Sequence, residues 1–302
     1  MKAGTNLEKV LVSGRFAVTA EAGPPKGTSA AVVQKKGELL HNCCDAINIT
    51  DNQTAIVRLS SLAGCVILKQ QGVEPVMQIV CRDRNRIAIQ SDVLGAVALG
   101  IGNILCITGD HQKFGNHPTA KGVFDIDSIQ LIQTLKNMRD EKKFLNGEDI
   151  SGEVPLFIGA AANPFADPFE FRVIRLAKKI DAGADFIQTQ AVYDVDKFAR
   201  WMEMVADRGL DKRAHILAGV IPIRSAGMAR YMNANVPGIF VPDNLIEEMS
   251  SAPKGKALTK GIEIAGRMIR QLKEEAICDG VHIMAIGKET VVPDILAAAG
   301  LA

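Results

Sequence analysis

Short apolar runs, each closed by polar, glycine or proline residues, recur along this chain and alternate with stretches of helical periodicity. The runs Phe16–Glu21, Ala46–Thr50, Val76–Cys81, Ile104–Thr108, Pro155–Ala161, Phe186–Gln190, His215–Val220 and His282–Ile286 predict strands. Eight strands joined by seven crossovers in 302 residues predict an α/β chain folded as one (β/α)8 TIM barrel, a single domain over 1–302. An open doubly wound sheet is the structural alternative.

Boundaries follow from local chemistry. Gly72 and Gly183 each end a helical pattern before a strand, as left-handed helix stops do. Asp194, between AVY and a helix beginning near Val195, is placed to cap that helix. His111–Gly122 is too polar and too broken for regular structure and is expected as a loop at the barrel mouth. Asn146–Gly152 reads as a second surface connection, and Val236–Lys256 as an extra strand-like piece, GIFVP, followed by a short helix. No internal repeat, low-complexity tract or linker divides the chain.

Composition narrows the class. The chain is 47% apolar and 23% charged with a formal net charge of +1, so it lacks the basic stripe a nucleic-acid surface needs. No run approaches the roughly 18 to 20 apolar residues that span a bilayer, and MKAGTNLEKV lacks the apolar centre of a signal peptide. The expectation is a cytoplasmic protein with no membrane or nucleic-acid partner. Cys43, Cys44, Cys65, Cys81, Cys106 and Cys278 lack the CxxC spacing of a zinc or iron–sulfur site, and read as reduced thiols.

If the strands close, their C-terminal ends carry a set of polar groups. Glu21 ends the first, Thr50 and Asp51 the second, Arg82 and Asp83 the third; Asp110 follows the fourth and Asn163 the fifth; Gln190 ends the sixth and Lys288 follows the eighth. Singly, each is better read as a cap or a solvated charge. Jointly they converge on one mouth, where chemistry sits in this fold.

The blocks AEAGPP (Ala20–Pro25), NITDN (Asn48–Asn52), CRDRNRIAIQSD (Cys81–Asp92), LCITGD (Leu105–Asp110), GVFDIDS (Gly122–Ser128) and DAGADFIQTQAVYD (Asp181–Asp194) resemble the methylenetetrahydrofolate reductases, flavin-dependent (β/α)8 barrels. The resemblance runs from about Phe16 to the C-terminal GVHIMAIGKE, and the basic RDRNR version is similar to reductases of anaerobic bacteria.

That resemblance implies a reaction: hydride transfer from reduced flavin, FAD or FMN, to 5,10-methylenetetrahydrofolate. Glu21 matches the general acid, which must stay protonated near neutral pH. Asp110 matches an aspartate contacting both folate and flavin, and Gln190 the glutamine that hydrogen-bonds the pterin, with Gln188 sharing its strand orientation two residues earlier. Lys288 matches a basic residue reaching the folate tail. Thr50, Gln78, Thr108, Gly109, Asp110 and Asn163 fall at flavin-contacting positions, and Lys178 and Lys179 match a basic pair near the flavin phosphates.

Departures from the family pattern are also visible. Gln78 stands where the family often has histidine, Asn163 where it has tyrosine, and Ala226 where an aromatic packs on nicotinamide or folate. NADH is the generic electron donor. The alanine at 226 and the resemblance to anaerobic forms make a partner subunit carrying iron–sulfur or zinc centres the alternative, and an oligomer is expected. Other readings stay open: a folate-binding methyltransferase-type barrel, a barrel subunit of a larger electron-transfer complex reduced by an iron–sulfur partner, and a noncatalytic subunit that only docks a partner.

Overall fold

The computed structural model describes residues 1–301. Its strands are β1 (Ala17–Ala22), β2 (Ala46–Ile49), β3 (Pro75–Val80), β4 (Asn103–Ile107), β5 (Phe157–Ala162), β6 (Phe186–Ala191), β7 (His215–Val220) and β8 (Gly280–Ile283). They are parallel and pair in chain order, and β1 pairs with β8 through Ala17↔Gly280 to Ala20↔Ile283, closing the barrel. The open-sheet alternative is thereby excluded.

Helix α1 (Asn6–Val12) precedes the first strand. The crossovers are α2 (Ala30–Leu40), α3 (Ser61–Gln70), α4 (Arg86–Ala98), α5 (Ser128–Asp140), α6 (Phe171–Ala182) and α7 (Val195–Ala206). Between β7 and β8 run α8 (Ala226–Asn235), α9 (Asp243–Ser250) and α10 (Ala257–Glu274), and α11 (Val292–Ala299) follows β8. Gly72 and Gly183 adopt φ of +76° and +118°, and the Asp194 side chain accepts from Lys197 N at 2.8 Å, as the sequence requires.

Side chains alternate along each strand, so every second residue faces the barrel axis. The lowest inward layer is apolar: Ala17, Ala46, Val76, Leu105, Phe157, Phe186 and Leu217 pack together, with Leu7, Val10 and Leu11 of α1 plugging that end. The next layer is polar. Gln188 of β6 donates to Thr19 of β1 at 3.2 Å and exchanges hydrogen bonds of 2.7 and 3.1 Å with Asn48 of β2. Because β6 neighbours neither strand in the sheet, these bonds cross the interior. Thr19 Oγ1 also lies 2.9 Å from His282 Nδ1 of β8. An apolar base under a polar layer makes one end of the barrel a plug and the other a site.

One sequence expectation fails. GIFVP is not a strand: Ile239 and Val241 are buried, yet they pair with no sheet. The Asn233 side chain accepts from Val241 N at 2.7 Å and donates to Val241 O at 2.9 Å, so an amide takes the place of a neighbouring strand. The short helix expected after it is α9. The eighth strand also stops earlier than expected, at Ile283, and Ile286 adopts a φ of +46° that no strand tolerates.

Gly159 of β5 is needed for the stack beneath the polar layer. A Cβ there would stand 2.3 Å from the Phe186 ring, which stacks on Phe157 with centroids 5.0 Å apart. Gly159→Ala should therefore lower stability by about 1–3 kcal/mol through overpacking, read as an earlier urea midpoint. An unchanged midpoint would show that this layer is loosely filled.

Candidate active site at the barrel mouth

A cavity of about 470 Å³ opens at the C-terminal ends of the strands. It lies within the roughly 300–1,000 Å³ range of small-molecule sites. Glu21, Gln78, Thr108, Gly109, Asp110, Asn163, Lys179 and Gln190 all line it. Thr50, Lys178 and Lys288 do not.

Glu21 is a buried carboxylate of the mouth. It ends the inward series Ala17, Thr19, Glu21 on β1 and is 8% exposed. Burial pushes its pKa up to about 7, with Glu289 adding to the rise, while hydrogen bonding by the Gln53 and Gln78 amides and the charge of Lys36 work against it. Gln53 Nε2 donates to Glu21 Oε1 at 2.9 Å. Lys36 itself is held at 2.6 Å by Glu289. Glu21 is therefore able to carry and release a proton near neutrality.

The floor below it is the polar layer, through Gln188 and His282. Burial holds His282 down to about 3, so its ring is neutral and acts only by hydrogen bonding. At the rim, Gln190 accepts from Ala191 N at 3.0 Å through its side-chain oxygen, which leaves the amide NH₂ free to donate. Gln188 and Gln190 both reach the cavity, one at the floor and one at the rim. The Asp110 carboxylate accepts from Thr54 N at 3.2 Å, and its own carbonyl accepts from Arg82 at 3.0 Å. Asn163 turns toward its surroundings, accepting from Phe165 N at 3.3 Å.

The CRDRNR cluster braces the mouth. Buried Arg82 forks onto Asp83 with two bonds of 2.7 Å. Arg84 binds Asp51 at 2.6 Å and Asp92 at 2.8 Å, and Asp51 also accepts from Val80 N at 3.0 Å. Arg86 clamps Asp125 at 2.7 Å. Charge-assisted, forked contacts of this kind fix loop geometry.

The opposite side of the cavity is cationic. Arg172, Arg175 and Lys179 line it from α6, at the spacing that puts them on one helical face. Burial pushes Lys179 down to about 8, with the nearby Arg175 charge acting in the same direction, and its ammonium donates to the Ala161 carbonyl. Among the described residues none of the three has a carboxylate within ion-pair distance. Unbalanced cations facing a cavity call for an anionic ligand. Thr50 adds an orphan: its Oγ1 is buried without a hydrogen-bond partner. Thr50 does not line the cavity; the cationic wall with the Gln78 and Gln190 amides fits a phosphorylated ligand that also offers hydrogen-bonding groups, as a flavin does.

Lys178, one residue from Lys179, is turned about 100° around the helix and lines a separate outer groove with Arg86, Gln130 and Asp181. Lys288 is exposed beside the buried Glu289. The residues missed in sequence are Gln53, His282, Arg172 and Arg175, while Gln188, noted there only for sharing the orientation of Gln190, forms part of the floor. The i, i+3, i+7 spacing of 172, 175 and 179 is the one signal that could have exposed the cationic face.

A closed (β/α)8 barrel with a buried acid, rim amides and a cationic wall around one mouth has the form of an enzyme site suited to an anionic ligand. The family model "Methylenetetrahydrofolate reductase" matches residues 6–300, and the chain belongs to that family. Methylenetetrahydrofolate reductase 1 of Schizosaccharomyces pombe is 26% identical over 237 residues, 76% of this chain and 36% of that protein. The 5,10-methylenetetrahydrofolate reductase of Pectobacterium carotovorum subsp. carotovorum is 23% identical over 217 residues, 70% of this chain and 65% of its own length. The chain thus spans about a third of the fungal relative and about two thirds of the bacterial one. In fold it is similar to an uncharacterized Clostridium thermocellum protein that binds two copies of 5-methyl-5,6,7,8-tetrahydrofolic acid, with a TM-score of 0.65, 16% identity and 98% of each chain covered. No described helix is long and apolar enough to cross a membrane.

Glu21 makes a stability prediction independent of activity. Its folded pKa is raised from 4.5 to about 7, so between those values the unfolded chain releases a proton that the native state keeps. The native protein accordingly loses stability as pH rises through that window. Glu21→Gln removes the penalty, and its advantage over wild type should grow from nothing below pH 4.5 to about 3 kcal/mol above pH 7. Equal urea midpoints for both proteins at both ends of that range would place Glu21 in contact with water.

Proposed function

We propose that this protein reduces 5,10-methylenetetrahydrofolate to 5-methyltetrahydrofolate with a flavin held at the barrel mouth, Glu21 acting as the general acid. The observation that carries the proposal is the burial of Glu21, which puts its pKa at about 7 in the same cavity as Asp110 and Gln190. Family membership and the folate carried by the Clostridium thermocellum barrel support a folate substrate.

Bound flavin supplies the hydride. Everything else is asked of the chain. Glu21 holds the proton that a folate nitrogen must receive for its five-membered ring to open, and burial keeps that proton in place at neutral pH. The free NH₂ of Gln190 donates to the pterin. The Asp110 carboxylate favours the cationic form that ring opening produces. Lys179, Arg175 and Arg172 would hold the flavin phosphate. Lys178 takes no part in this assignment. NADH is the generic electron donor, and a partner subunit carrying iron–sulfur centres is the alternative that alanine, in place of an aromatic, at position 226 leaves open.

In protein purified anaerobically, Glu21→Gln should lose at least a hundredfold of methylenetetrahydrofolate reduction while retaining its yellow cofactor, consistent with the size of general-acid contributions. Wild-type turnover in that variant would remove Glu21 from the mechanism. Flavin retention tests the cationic wall separately. Because Lys179 loses its charge as pH rises through about 8, flavin affinity measured by fluorescence titration should weaken across that range. Lys179→Ala should bind weakly throughout and lack the pH step; tight, step-free binding in wild type would send the phosphate elsewhere.

A further inference from the structure

The loop between β2 and α3 holds Asn52, Thr54 and Ala55 at φ of 46°, 57° and 55°, three non-glycine residues in the left-handed region. Such backbone persists only where its surroundings over-determine it, and it gathers at functional sites. Here the surroundings are identifiable. Arg82, already forked onto Asp83, donates to the carbonyl of Asn52 at 3.2 Å and to that of Asp110 at 3.0 Å. The Asn52 amide donates to Asp83 at 3.2 Å, and its oxygen accepts from Arg58 N at 3.0 Å. Asp110 holds Thr54 N, and Asn116 accepts from Val57 N at 3.1 Å. Gly115 lies so close that a Cβ on it would stand 1.8 Å from the Ala55 carbonyl oxygen.

All this anchoring delivers one side chain inward, Gln53, onto the carboxyl of Glu21 at 2.9 Å. A glutamine on a relaxed surface loop would hydrogen-bond water instead. We propose that Gln53 is a positioning residue for Glu21, held in place by a strained loop that Arg82, Asp83 and Asp110 clamp. Its functional meaning rests on Glu21 being the acid; the contact itself does not. The clamp also ties the two loops on either side of β3 to one guanidinium, so Asp110 and Gln53 are set by the same residue.

The groups facing Glu21 are Gln53 from this loop, Gln78 from β3, Lys36 from α2 and Glu289 from the segment after β8. The Gln53 bond favours the charged carboxylate, so its loss raises the pH at which Glu21 ionises. Isotope-labelled glutamate, with the Glu21 signal assigned by its absence in Glu21→Gln, gives that midpoint directly by NMR titration. Gln53→Ala should move it upward by about half a pH unit or more. Arg82→Lys, which cannot make the forked contact, should move it the same way without touching Glu21. An unmoved midpoint in folded Gln53→Ala overturns the proposal, and an unmoved midpoint in Arg82→Lys overturns the clamp should the first variant fail to fold. Normal turnover by Glu21→Gln would defeat the acid assignment instead, and leaves the Gln53 midpoint to be judged separately.

Discussion

The mouth of this barrel depends on the pairing of β1 with β8, which closes the sheet and turns Glu21 away from water. A carboxyl group at the open edge of a sheet would ionise at an ordinary pH. Inside the closed cylinder, desolvation dominates the opposing amides and lysine, and the same residue holds its proton to about 7. Fold closure and acid strength are thus one physical fact seen at two levels.

The barrel tolerates polar groups at its centre because they satisfy one another. Thr19, Asn48, Gln188 and His282 form a connected layer above an apolar plug, and a buried polar group costs little only when its partners are present. That layer is the floor of the cavity, so a ligand entering from the mouth meets fixed amide and imidazole groups. The cationic wall differs in kind: among the described residues Arg175 and Lys179 have no carboxylate partner, and their mutual repulsion is a cost that an anionic ligand would relieve.

Much of this was legible in the sequence, for stated reasons. Parallel strands buried on both faces leave apolar runs, so the strands were visible to within a few residues, and the polar residues closing those runs marked the mouth. GIFVP misled because it has the composition of a strand, while what decided its structure was Asn233, an amide contributed from the helix before it. Lys178 and Lys179 look equivalent in a string, but a helix can aim only one of two neighbours at the cavity. Gln53 was invisible for a different reason: its role depends on left-handed backbone at Thr54 and Ala55 that no local preference of Thr or Ala encodes, imposed by Arg82 and Asp110 from separate loops. Side chains set by period could be read; those set by tertiary clamping could not.

On the proposed function, one cavity brings the acid, the rim amide and the carboxylate to a single folate. A crystal structure of the protein soaked with 5-methyltetrahydrofolate tests this most directly. The expected result is a pterin at the mouth, with Glu21 and the Gln190 NH₂ both within hydrogen-bonding distance of its ring. A pterin bound elsewhere, or one at the mouth that leaves Glu21 hydrogen-bonded only to Gln53, would contradict it.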